Sequence, residues 1–273
     1  MPEAPDRAGF APGAAPLNAV GAAVWTDRDL ASSPHEHAEK QERVRKMFAA
    51  ISASYDLNNR LHSFGLDQSW RRSVVRAAGV KPGEAVLDVA CGTGDLTRLF
   101  AAGVRPSAPA GKVVGLDYTA EMLDIARTKR ARTSDRGIEY LQGDAMRLPF
   151  ADASFDVLSI AFGIRNVQSP ALAIAEFFRV LRPDGRLAIL EFDRPRNPLI
   201  RWGNDLYTKR IMPRTATLIS RDRSGAYKYL PKSVDTFIDR DGLAKLIIAA
   251  GFKDLRQTPL TFGVCVCHLA RKV

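Results

Sequence analysis

The stretch VLDVACGTGDLTRLF, residues 86–100, joins a short apolar run to a turn with two glycines and then to the start of a helix. An unbroken apolar run of this length is typical of a strand buried on both faces. Gly92 and Gly94 permit a tight turn and let a ligand approach the main chain, while the helix that begins near Asp95 offers unpaired N–H groups. The dinucleotide-binding fingerprint requires a third glycine where this chain has Thr97. The stretch therefore predicts a strand–turn–helix binding site and leaves the ligand open.

Strands and helices alternate along most of the chain around this stretch. Continuous apolar strands separated by helices indicate parallel βαβ units that are covered on both faces. Two strands joined by a short loop close the chain, which predicts an antiparallel hairpin at one sheet edge. The fold class is therefore α/β, a mostly parallel sheet with an antiparallel C-terminal hairpin and helices on both faces. The predicted strands cover residues 85–90, 112–116, 138–141, 155–161, 186–192, 253–259 and 264–270, and the helices among them cover 95–102, 120–130, 170–181 and 241–250.

The residues before the first strand divide into a tail and two helices. Residues 1–35 are rich in Ala and Pro but carry acids, which a transit peptide lacks, so we predict a disordered tail. The remaining residues, 36–273, form one domain. Apolar residues at helical spacing predict an amphipathic helix over 36–51, and a loop-like stretch rich in Ser, Asp and Asn follows it. A second helix over 68–78 ends at Gly79.

Residues 194–234 interrupt the alternation with a mixture of apolar, basic and tyrosine side chains. We predict that this segment is a small helical cap over the carboxyl ends of the strands. Open α/β sheets bind their ligands at those ends, so the cap is expected to cover a ligand.

Composition narrows the choice of partners without deciding it. The formal charge of +10 fits a nucleic acid, an anionic lipid surface or plain solubility. The three cysteines form no CxxC pair, which fits a reducing compartment. No apolar run approaches the roughly 18 residues of a membrane span. The sequence thus predicts a cytoplasmic protein and leaves open a peripheral contact with the inner membrane face.

One carboxylate lies near each of three successive strand ends: Asp88, Asp117 and Asp144. At the end of the second strand, Asp117 suits the two hydroxyls of a ribose. The other two suit an amino-acid ammonium group (Asp88) and an exocyclic amine of adenine (Asp144). Three carboxylates would repel a pyrophosphate, so the set favours a positively charged nucleoside. The alternative is local: Asp95 caps its helix and Asp144 lies in an ordinary turn.

Four stretches resemble the class I S-adenosylmethionine-dependent methyltransferases. They are VLDVACGTGDL, VVGLDYTAEML, YLQGDAMRLPFADASFDVLSIAFGIRNV and VLRPDGRLAILEFDRP. This resemblance implies a Rossmann-like sheet and S-adenosyl-L-methionine as the methyl donor, but it specifies only the class.

A second set of stretches resembles the ubiquinone/menaquinone biosynthesis C-methyltransferases. These are YDLNNRLHSFGLDQSWRR, FGIRNV, LEFDRP, YKYLPKSV and LTFGVCVCHLARK. They are more specific because they include loops and the cap, and the resemblance covers about residues 40–272. It implies methylation of a ring carbon of a demethylmenaquinol or of a 2-methoxy-6-polyprenyl-1,4-benzoquinol.

Carried over by residue, the resemblance places cofactor contacts in the turn (Thr93), on the ribose (Asp117) and beside the adenine (Asp144 with Ala145). Some family members have a serine where this chain has Ala161, so that contact is absent or made by the main chain. The complete set of expected cofactor residues is Asp88, Gly92, Thr93, Gly94, Asp117, Tyr118, Asp144, Ala145 and Ala161.

The implied reaction requires loss of a phenolic proton, because that loss raises the electron density of the neighbouring ring carbon. Arg165 is the leading candidate to stabilise the phenolate or to order a water, since a guanidinium stays charged. Asn166 is expected to bind a quinol oxygen, and His62 is a candidate base because its ordinary pKa is near neutral. Tyr55 is expected over the cofactor. Two more tyrosines are expected along the ring pocket, namely Tyr227 and Tyr229. The alternatives are a structural ion pair for Arg165 and a packing role for His62.

The substrate class implies a polyprenyl quinol partner and an apolar groove for its tail. Residues 199–212 mix apolar and basic side chains and are candidates for that groove and for a contact with anionic lipid. The alternatives for this segment are a homodimer contact and a solvated face.

Rival functions remain open at this point. An RNA methyltransferase is disfavoured because no Asn-Pro-Pro-aromatic motif and no separate basic module occur, so we expect no nucleic-acid partner. Two neighbouring histidines do not make a metal site, so no metal is expected. A small-molecule O- or N-methyltransferase and a non-catalytic member of a biosynthetic complex remain alternatives.

Overall fold

The computed structural model describes residues 23–105, 111–133, 137–220 and 222–273. Its centre is a seven-stranded sheet in the order β3-β2-β1-β4-β5-β7-β6. The first five strands are parallel, and β7 runs antiparallel to both β5 and β6. The predicted α/β class and its C-terminal hairpin are therefore confirmed. The strands are β1 Val86–Val89, β2 Val113–Asp117, β3 Ile138–Gln142, β4 Phe155–Ala161, β5 Leu181–Phe192, β6 Lys253–Leu260 and β7 Cys265–Arg271.

Helices cover both faces of this sheet because successive strand residues point in opposite directions. In β1, Leu87 and Val89 join the core on one face of the sheet, whereas Val86 joins the core on the opposite face. The helices of the described chain are α1 Lys40–His62, α2 Leu66–Ala78, α3 Asp95–Val104, α4 Ala120–Arg132, α5 Pro170–Val180, α6 Pro198–Leu206, α7 Met212–Ser220, α8 Ala226–Thr236 and α9 Arg240–Ala249.

A third core joins α1 to the cap helices. It contains Met47 and Ile51 from α1, Ala216 from α7, and Tyr229 from α8. A π-helical turn, Tyr207–Ile211, links α6 to α7. Residues 194–234, which the sequence predicts to be a cap, therefore consist mainly of three helices and this π-helical turn.

The strand order reverses between β1 and β4, and this is the point where open α/β sheets bind ligands.

Two predicted elements differ from the structure. The first helix does not end at residue 51 but continues to His62, through the stretch predicted to be a loop. Packing overrides the weak helix propensity there, since Asn58 is buried and its side-chain amide donates to the carbonyl of Ser54 at 3.1 Å. The fifth strand begins at Leu181 rather than at residue 186, because the RPDG turn lies within an irregular part of its pairing with β4.

Part of the predicted tail is ordered. Residues 23–37, which we term the N-terminal strap, place Trp25 in the third core with 1% of its surface exposed. Its ring stacks on that of Tyr229 at 4.7 Å between centroids, and its amide donates to the carbonyl of Ser224 at 3.0 Å. At Gly225, φ is +85° and a Cβ would lie 2.2 Å from the Trp25 carbonyl oxygen, so glycine is required. Disorder through residue 35 is therefore wrong for the strap, and the prediction for residues 1–22 lies outside the described residues.

Within the described residues, none of the helices combines the length and the apolar character needed to span a bilayer.

Candidate active site

The first cavity lies at the carboxyl ends of β1 and β2 and holds about 730 Å³ of space unfilled by protein. Gly92 and Ala161 form part of its wall, with apolar side chains from the sheet such as Val89 and Leu116. Helix α1 forms the roof. The cavity thus occupies the position that the turn after residue 89 predicts.

Two carboxylates face this cavity, each fixed by main-chain donors. Asp117 accepts from the amides of Gly92 and Thr119, at 2.8 Å each. Asp144 accepts from the amide of Met146 at 2.9 Å and from the side-chain amide of Gln41 at 2.7 Å. Burial raises the pKa of Asp117, and these main-chain hydrogen bonds oppose the rise. The cavity therefore presents fixed acceptors to hydroxyl, amine and cationic groups.

The glycine turn packs closely against the sheet. At Gly94, φ is +81° and a Cβ would lie 2.3 Å from the Tyr140 hydroxyl oxygen, which leaves no room for a side chain. Ala90, just before the turn, also has a positive φ of +50°. Backbone strain of this kind concentrates at ligand sites. The turn is thus held in one shape before a ligand binds.

The third predicted acid, Asp88, lies beneath this turn and off the cavity wall. Its two oxygens accept from the hydroxyls of Thr97 at 2.6 Å and Ser159 at 2.7 Å, so it joins β1 to α3 and β4. Burial raises its pKa to about 6. These contacts place Asp88 as a link within the sheet rather than beside a ligand.

Thr93 is also buried away from the cavity wall. Its hydroxyl donates to Asp56 at 2.6 Å and accepts from the Lys129 ammonium at 3.0 Å. The same ammonium contacts Asp56 at 2.5 Å and Asp95 at 2.8 Å. This polar cluster fastens α1 to the outer side of the glycine turn.

A second cavity adjoins the first, with about 1190 Å³ of space unfilled by protein, including the solvent at its opening. The two share the side chains of Phe48, Tyr55 and Phe162. Six aromatic residues contribute to the wall of the second cavity, beside several polar and charged residues. Among the aromatic residues, the ring centroids of Phe162 and Phe192 lie 4.6 Å apart. A ligand in the first cavity and an aromatic ring in the second would therefore meet at the shared residues.

Arg165 lies on the wall of the second cavity and is 3% exposed. Its guanidinium donates to Glu191 at 2.5 Å and to the carbonyl of Phe162 at 2.8 Å, and it lies over the ring of Phe192 at 5.3 Å. The ion pair that the sequence left as an alternative is thus present, and the same guanidinium borders the cavity. Glu191 balances its charge, which allows a cation to be buried.

Asn166 connects the active site to the cap. Its side-chain oxygen accepts from the Tyr229 hydroxyl at 2.9 Å, and its amide donates to the carbonyl of Phe162 at 3.2 Å. The residue borders the first cavity. Tyr229 and Tyr227 are both buried in the third core and lie on neither cavity wall, so the predicted ring contacts with these tyrosines have no support here.

His62 borders the second cavity, where its Nδ1 lies 3.2 Å from the Tyr207 hydroxyl. Burial lowers the pKa of His62 and so favours its neutral form. Burial raises the pKa of Tyr55, which keeps that hydroxyl protonated between the two cavities.

Most of the predicted site residues lie on the wall of the first or of the second cavity, and five lie on neither. On the first wall lie Tyr55, Gly92, Asp117, Tyr118, Asp144, Ala145, Ala161 and Asn166; on the second lie Tyr55, His62 and Arg165; off both lie Asp88, Thr93, Gly94, Tyr227 and Tyr229.

Sequence reasoning missed two parts of the site. The first is the roof of the first cavity, where Gln41, Arg45 and Phe48 come from α1. The sequence predicts that this helix is amphipathic. It does not show that the polar residues of the helix border a ligand cavity. The second is the pair Trp70 and Arg71 on the wall of the second cavity. The two residues lie within SWRR, in a helix whose sequence pattern indicates only packing against the sheet.

The first cavity fits S-adenosylmethionine on its own chemistry. Asp117 suits the ribose hydroxyls, Asp144 suits an adenine amine, and apolar side chains between them suit a purine face. Two carboxylates line this cavity, whereas Arg45 on the same wall is paired with Glu42 at 2.8 Å, and this balance favours a positively charged ligand over a phosphate.

Comparison with known proteins agrees with this geometry. Residues 36–272 match the model of the ubiE/COQ5 methyltransferase family. The chain is 40% identical over 254 residues to the ubiquinone/menaquinone biosynthesis C-methyltransferase of Hahella chejuensis, covering 90% of this chain and 99% of that one. It is 43% identical over 226 residues to the demethylmenaquinone methyltransferase of Deinococcus radiodurans, covering 83% and 91%.

Solved structures share the fold at lower identity. A possible histamine N-methyltransferase from Thermotoga maritima superposes with a TM-score of 0.59 at 19% identity, covering 84% of this chain and all of that one. A phosphoethanolamine N-methyltransferase from Haemonchus contortus, in complex with S-adenosyl-L-methionine, gives 0.52 at 18% identity, covering 70% and 38%.

Proposed function

This chain belongs to the ubiE/COQ5 methyltransferase family, and from that membership we propose its reaction. The protein is an S-adenosyl-L-methionine-dependent C-methyltransferase. It methylates a ring carbon of a polyprenyl quinol, converting demethylmenaquinol to menaquinol, a 2-methoxy-6-polyprenyl-1,4-benzoquinol to its methylated product, or both.

One observation carries the proposal at the level of the site. A cavity with fixed carboxylates meets an apolar, aromatic cavity at Phe48, Tyr55 and Phe162, and a buried guanidinium borders the second. A methyl donor and an aromatic acceptor need this arrangement, because their reacting atoms must be held in line and in contact.

In the proposed complex, S-adenosylmethionine supplies an electrophilic methyl group on a cationic sulfur. Asp117 accepts from the ribose hydroxyls and Asp144 accepts from the adenine amine, where it exchanges its contact with Gln41. The amide of Gly92 holds Asp117 in place, so the same hydrogen bond shapes the turn and orients the carboxylate.

On the acceptor side, Arg165 stabilises the phenolate form of the quinol. A guanidinium lowers the pKa of a phenol that is hydrogen-bonded to it, and at Arg165, which is 3% exposed, little water is present to screen that attraction. The pairing with Glu191 and the carbonyl of Phe162 fixes the direction of the guanidinium. Asn166 is held by Tyr229 and is available to a quinol oxygen from the side of the first cavity. Neutral His62, near the opening lined by Tyr207, is the candidate to receive the phenolic proton, directly or through a water.

The apolar walls contribute by excluding water from the reacting groups. The remaining volume of the second cavity takes the first part of the polyprenyl tail. Because such tails lie in a bilayer, the enzyme works as a peripheral protein at the inner membrane face. Each cavity is lined by residues of one chain, so a homodimer is not needed to complete either of them.

The test is transfer of a labelled methyl group from S-adenosylmethionine to a water-soluble demethylmenaquinol analogue and to a methoxy-benzoquinol analogue, both kept reduced. We expect label on carbon in at least one quinol and none in the oxidised quinones, since only the quinol provides a phenolate. Folded protein that binds the donor but transfers no methyl group to either quinol would refute the proposal. Label found on oxygen would replace it with an O-methyltransferase.

A further inference from the structure

Helix α6 exposes an apolar stripe and turns its polar face inward. Leu199 and Trp202 are 76% and 66% exposed, and Leu206 follows on the same face at helical spacing. None of the residues of α6 is buried. The opposite face points to the second cavity, whose wall includes Asn204. A surface helix normally has the reverse polarity, so within the part of the chain that the structure describes this stripe is an apolar face with nothing packed on it.

Phe64 extends this apolar surface beyond the helix. Its ring lies 5.5 Å from that of Tyr207, in the turn that follows α6, yet it is 76% exposed. Its φ is +53°, a left-handed conformation that is unusual for a bulky residue. The chain thus holds an aromatic side chain in solvent at the expense of backbone strain. We term Phe64, Leu199, Trp202 and Leu206 the rim patch, because the elements that carry them also line the second cavity or contact its wall.

The surroundings of the rim patch are basic. Between residues 194 and 223 the sequence has eight basic and two acidic residues. Arg201, Arg210 and Arg214 are exposed, and Arg196 is exposed but pairs with Asp241 at 3.0 Å. Two copies of this surface would repel each other, which disfavours a second copy of the chain as its occupant. An anionic surface with an apolar interior complements both features at once.

We propose that the rim patch docks on an anionic lipid bilayer and opens the second cavity towards it. The apolar side chains enter the boundary between headgroups and acyl chains, where tryptophan is favoured, and the arginines contact lipid phosphates. This placement would let a polyprenyl quinol pass from the bilayer to the active site without crossing water. The idea rests on the proposed function for its substrate, but the docking itself is independent of catalysis.

The experiment measures co-sedimentation of the full chain with vesicles of phosphatidylcholine alone and of phosphatidylcholine with 30% phosphatidylglycerol. We expect at least tenfold tighter binding to the anionic vesicles and a loss of most of that difference at 0.5 M NaCl, since screening weakens contacts between charges. The double variant Leu199→Ser/Trp202→Ser should bind anionic vesicles at least fivefold more weakly.

A matched control removes exposed apolar residues elsewhere. Leu172 in α5 and Ile248 in α9 are 59% and 54% exposed, and the double variant Leu172→Ser/Ile248→Ser should bind vesicles like the wild type. Phe64→Gly gives a second test, because glycine suits the left-handed backbone and so removes the ring without a folding defect. It should also weaken binding.

Three results would overturn the proposal. They are equal vesicle binding by the rim variants and the wild type, no preference for anionic vesicles, and a wild-type dimer in sedimentation that Leu199→Ser/Trp202→Ser dissociates. The last result would make a second copy the occupant. The rim variants should methylate a water-soluble quinol at the wild-type rate. If the wild type binds vesicles as expected but methylates no quinol, the proposed function fails and the docking stands.

Discussion

Asp88 and Asp117 belong to the same binding region but differ in their surroundings. Asp88 is shut beneath the glycine turn by two hydroxyl donors, whereas Asp117 is held by main-chain amides at the cavity wall. We therefore expect a substitution of Asp88 to change stability and a substitution of Asp117 to change ligand binding. When a carboxylate does not contact a ligand, its ionisation can still be detected in the pH dependence of the free energy of unfolding.

We expect the pKa of Asp88, raised to about 6 from an ordinary value of 3.8, to appear in the stability of the free protein. Because the folded state holds its proton more tightly, the stabilisation is fully present below about pH 4 and is lost as the pH rises through 6. The loss is on the order of 2–3 kcal/mol. Urea unfolding at several pH values, compared with Asp88→Asn, isolates this contribution. Parallel pH curves for the two proteins would contradict it.

Arg165 is expected to act on the rate of methyl transfer rather than on substrate affinity. Arg165→Lys keeps a charge but loses the fork that contacts both Glu191 and Phe162, so kcat should fall about 10²-fold, as for the loss of a donor to a developing anion. The rate should recover partly at high pH, because solvent hydroxide then ionises the phenol. The measurement is the pH profile of kcat and KM on the soluble quinol.

Two companions make the Arg165 result interpretable. Arg165→Met leaves Glu191 buried and unpaired, so it should be combined with Glu191→Gln to avoid a folding defect. Arg182→Lys changes an exposed arginine that pairs with Asp156 and should leave kcat unchanged. A shift in KM alone for Arg165→Lys would assign the residue to binding only.

At the scale of elements, the N-terminal strap fixes the cap. Trp25 packs on Tyr229, and the Tyr229 hydroxyl holds Asn166 at the edge of the first cavity. His35 adds a contact at 2.8 Å from its ring to the carbonyl of Ser233 in α8. A segment far from the sheet is thus only two contacts away from an active-site side chain.

Trp25→Ala should lower the free energy of unfolding by about 3–5 kcal/mol, the usual effect of removing a buried aromatic side chain. Trp202→Ala is the matched control, since the same residue type is 66% exposed there, and it should change stability by less than about 0.5 kcal/mol. Chemical denaturation of both variants measures this difference. Equal effects would mean that the strap is not part of the folded core.

Most of the parallel sheet could be predicted from sequence because β1, β2, β4 and β5 each contain a local apolar run and are each followed by a helix. β4, Phe155–Ala161, matches its predicted bounds, and the helix before Gly79 ends where predicted. The continuation of α1 could not be predicted, because residues 52–62 are weak helix formers that are held by packing against distant elements. The strap has the same origin: Trp25 is buried by partners some 200 residues later, which no local pattern reveals.

The site was predictable to the same degree. Asp117 and Asp144 follow strand ends, and parallel strands bring those ends together, so their position at one cavity could be inferred. Asp88 shares that spacing, but hydroxyls from α3 and β4 turn it inward. The positions of the roof residues from α1 and of Arg71 at the cavities depend on how the helices pack over the sheet. The sequence pattern alone does not predict this packing.

At the scale of the whole molecule, the first cavity joins parts that are distant in sequence. Its wall takes residues from α1, from the ends of β1 and β2, and from the segment after β4. A ligand bound there is therefore expected to stabilise the complete fold, because it binds only when these parts are assembled.

We expect S-adenosylmethionine at 100 times its Kd to stabilise the protein by about 2.7 kcal/mol and to raise the Tm by several degrees. Asp117→Asn should bind the donor at least tenfold more weakly, and its rise in Tm should shrink at the same donor concentration. Calorimetric titration measures the Kd of the donor, and thermal unfolding measures the rise in Tm. Asp124→Asn, on the exposed side of α4, is the control, and a full rise in Tm with Asp117→Asn would contradict the proposed ribose contact.

The strap also governs when the protein can finish folding during its synthesis. Trp25 leaves the ribosome early, but Ser224, Gly225 and Tyr229 are added 199 to 204 residues later, which is roughly 10–40 s at usual elongation rates. Until then the indole lacks its stacking partner Tyr229, and α1 lacks its contacts with α7 and α8. The nascent chain therefore contains its five parallel strands before the cap residues that bury this tryptophan, while β6 and β7 are still to be added. A chaperone that shields Trp25 until α8 is made would protect the strap while it lacks its partners.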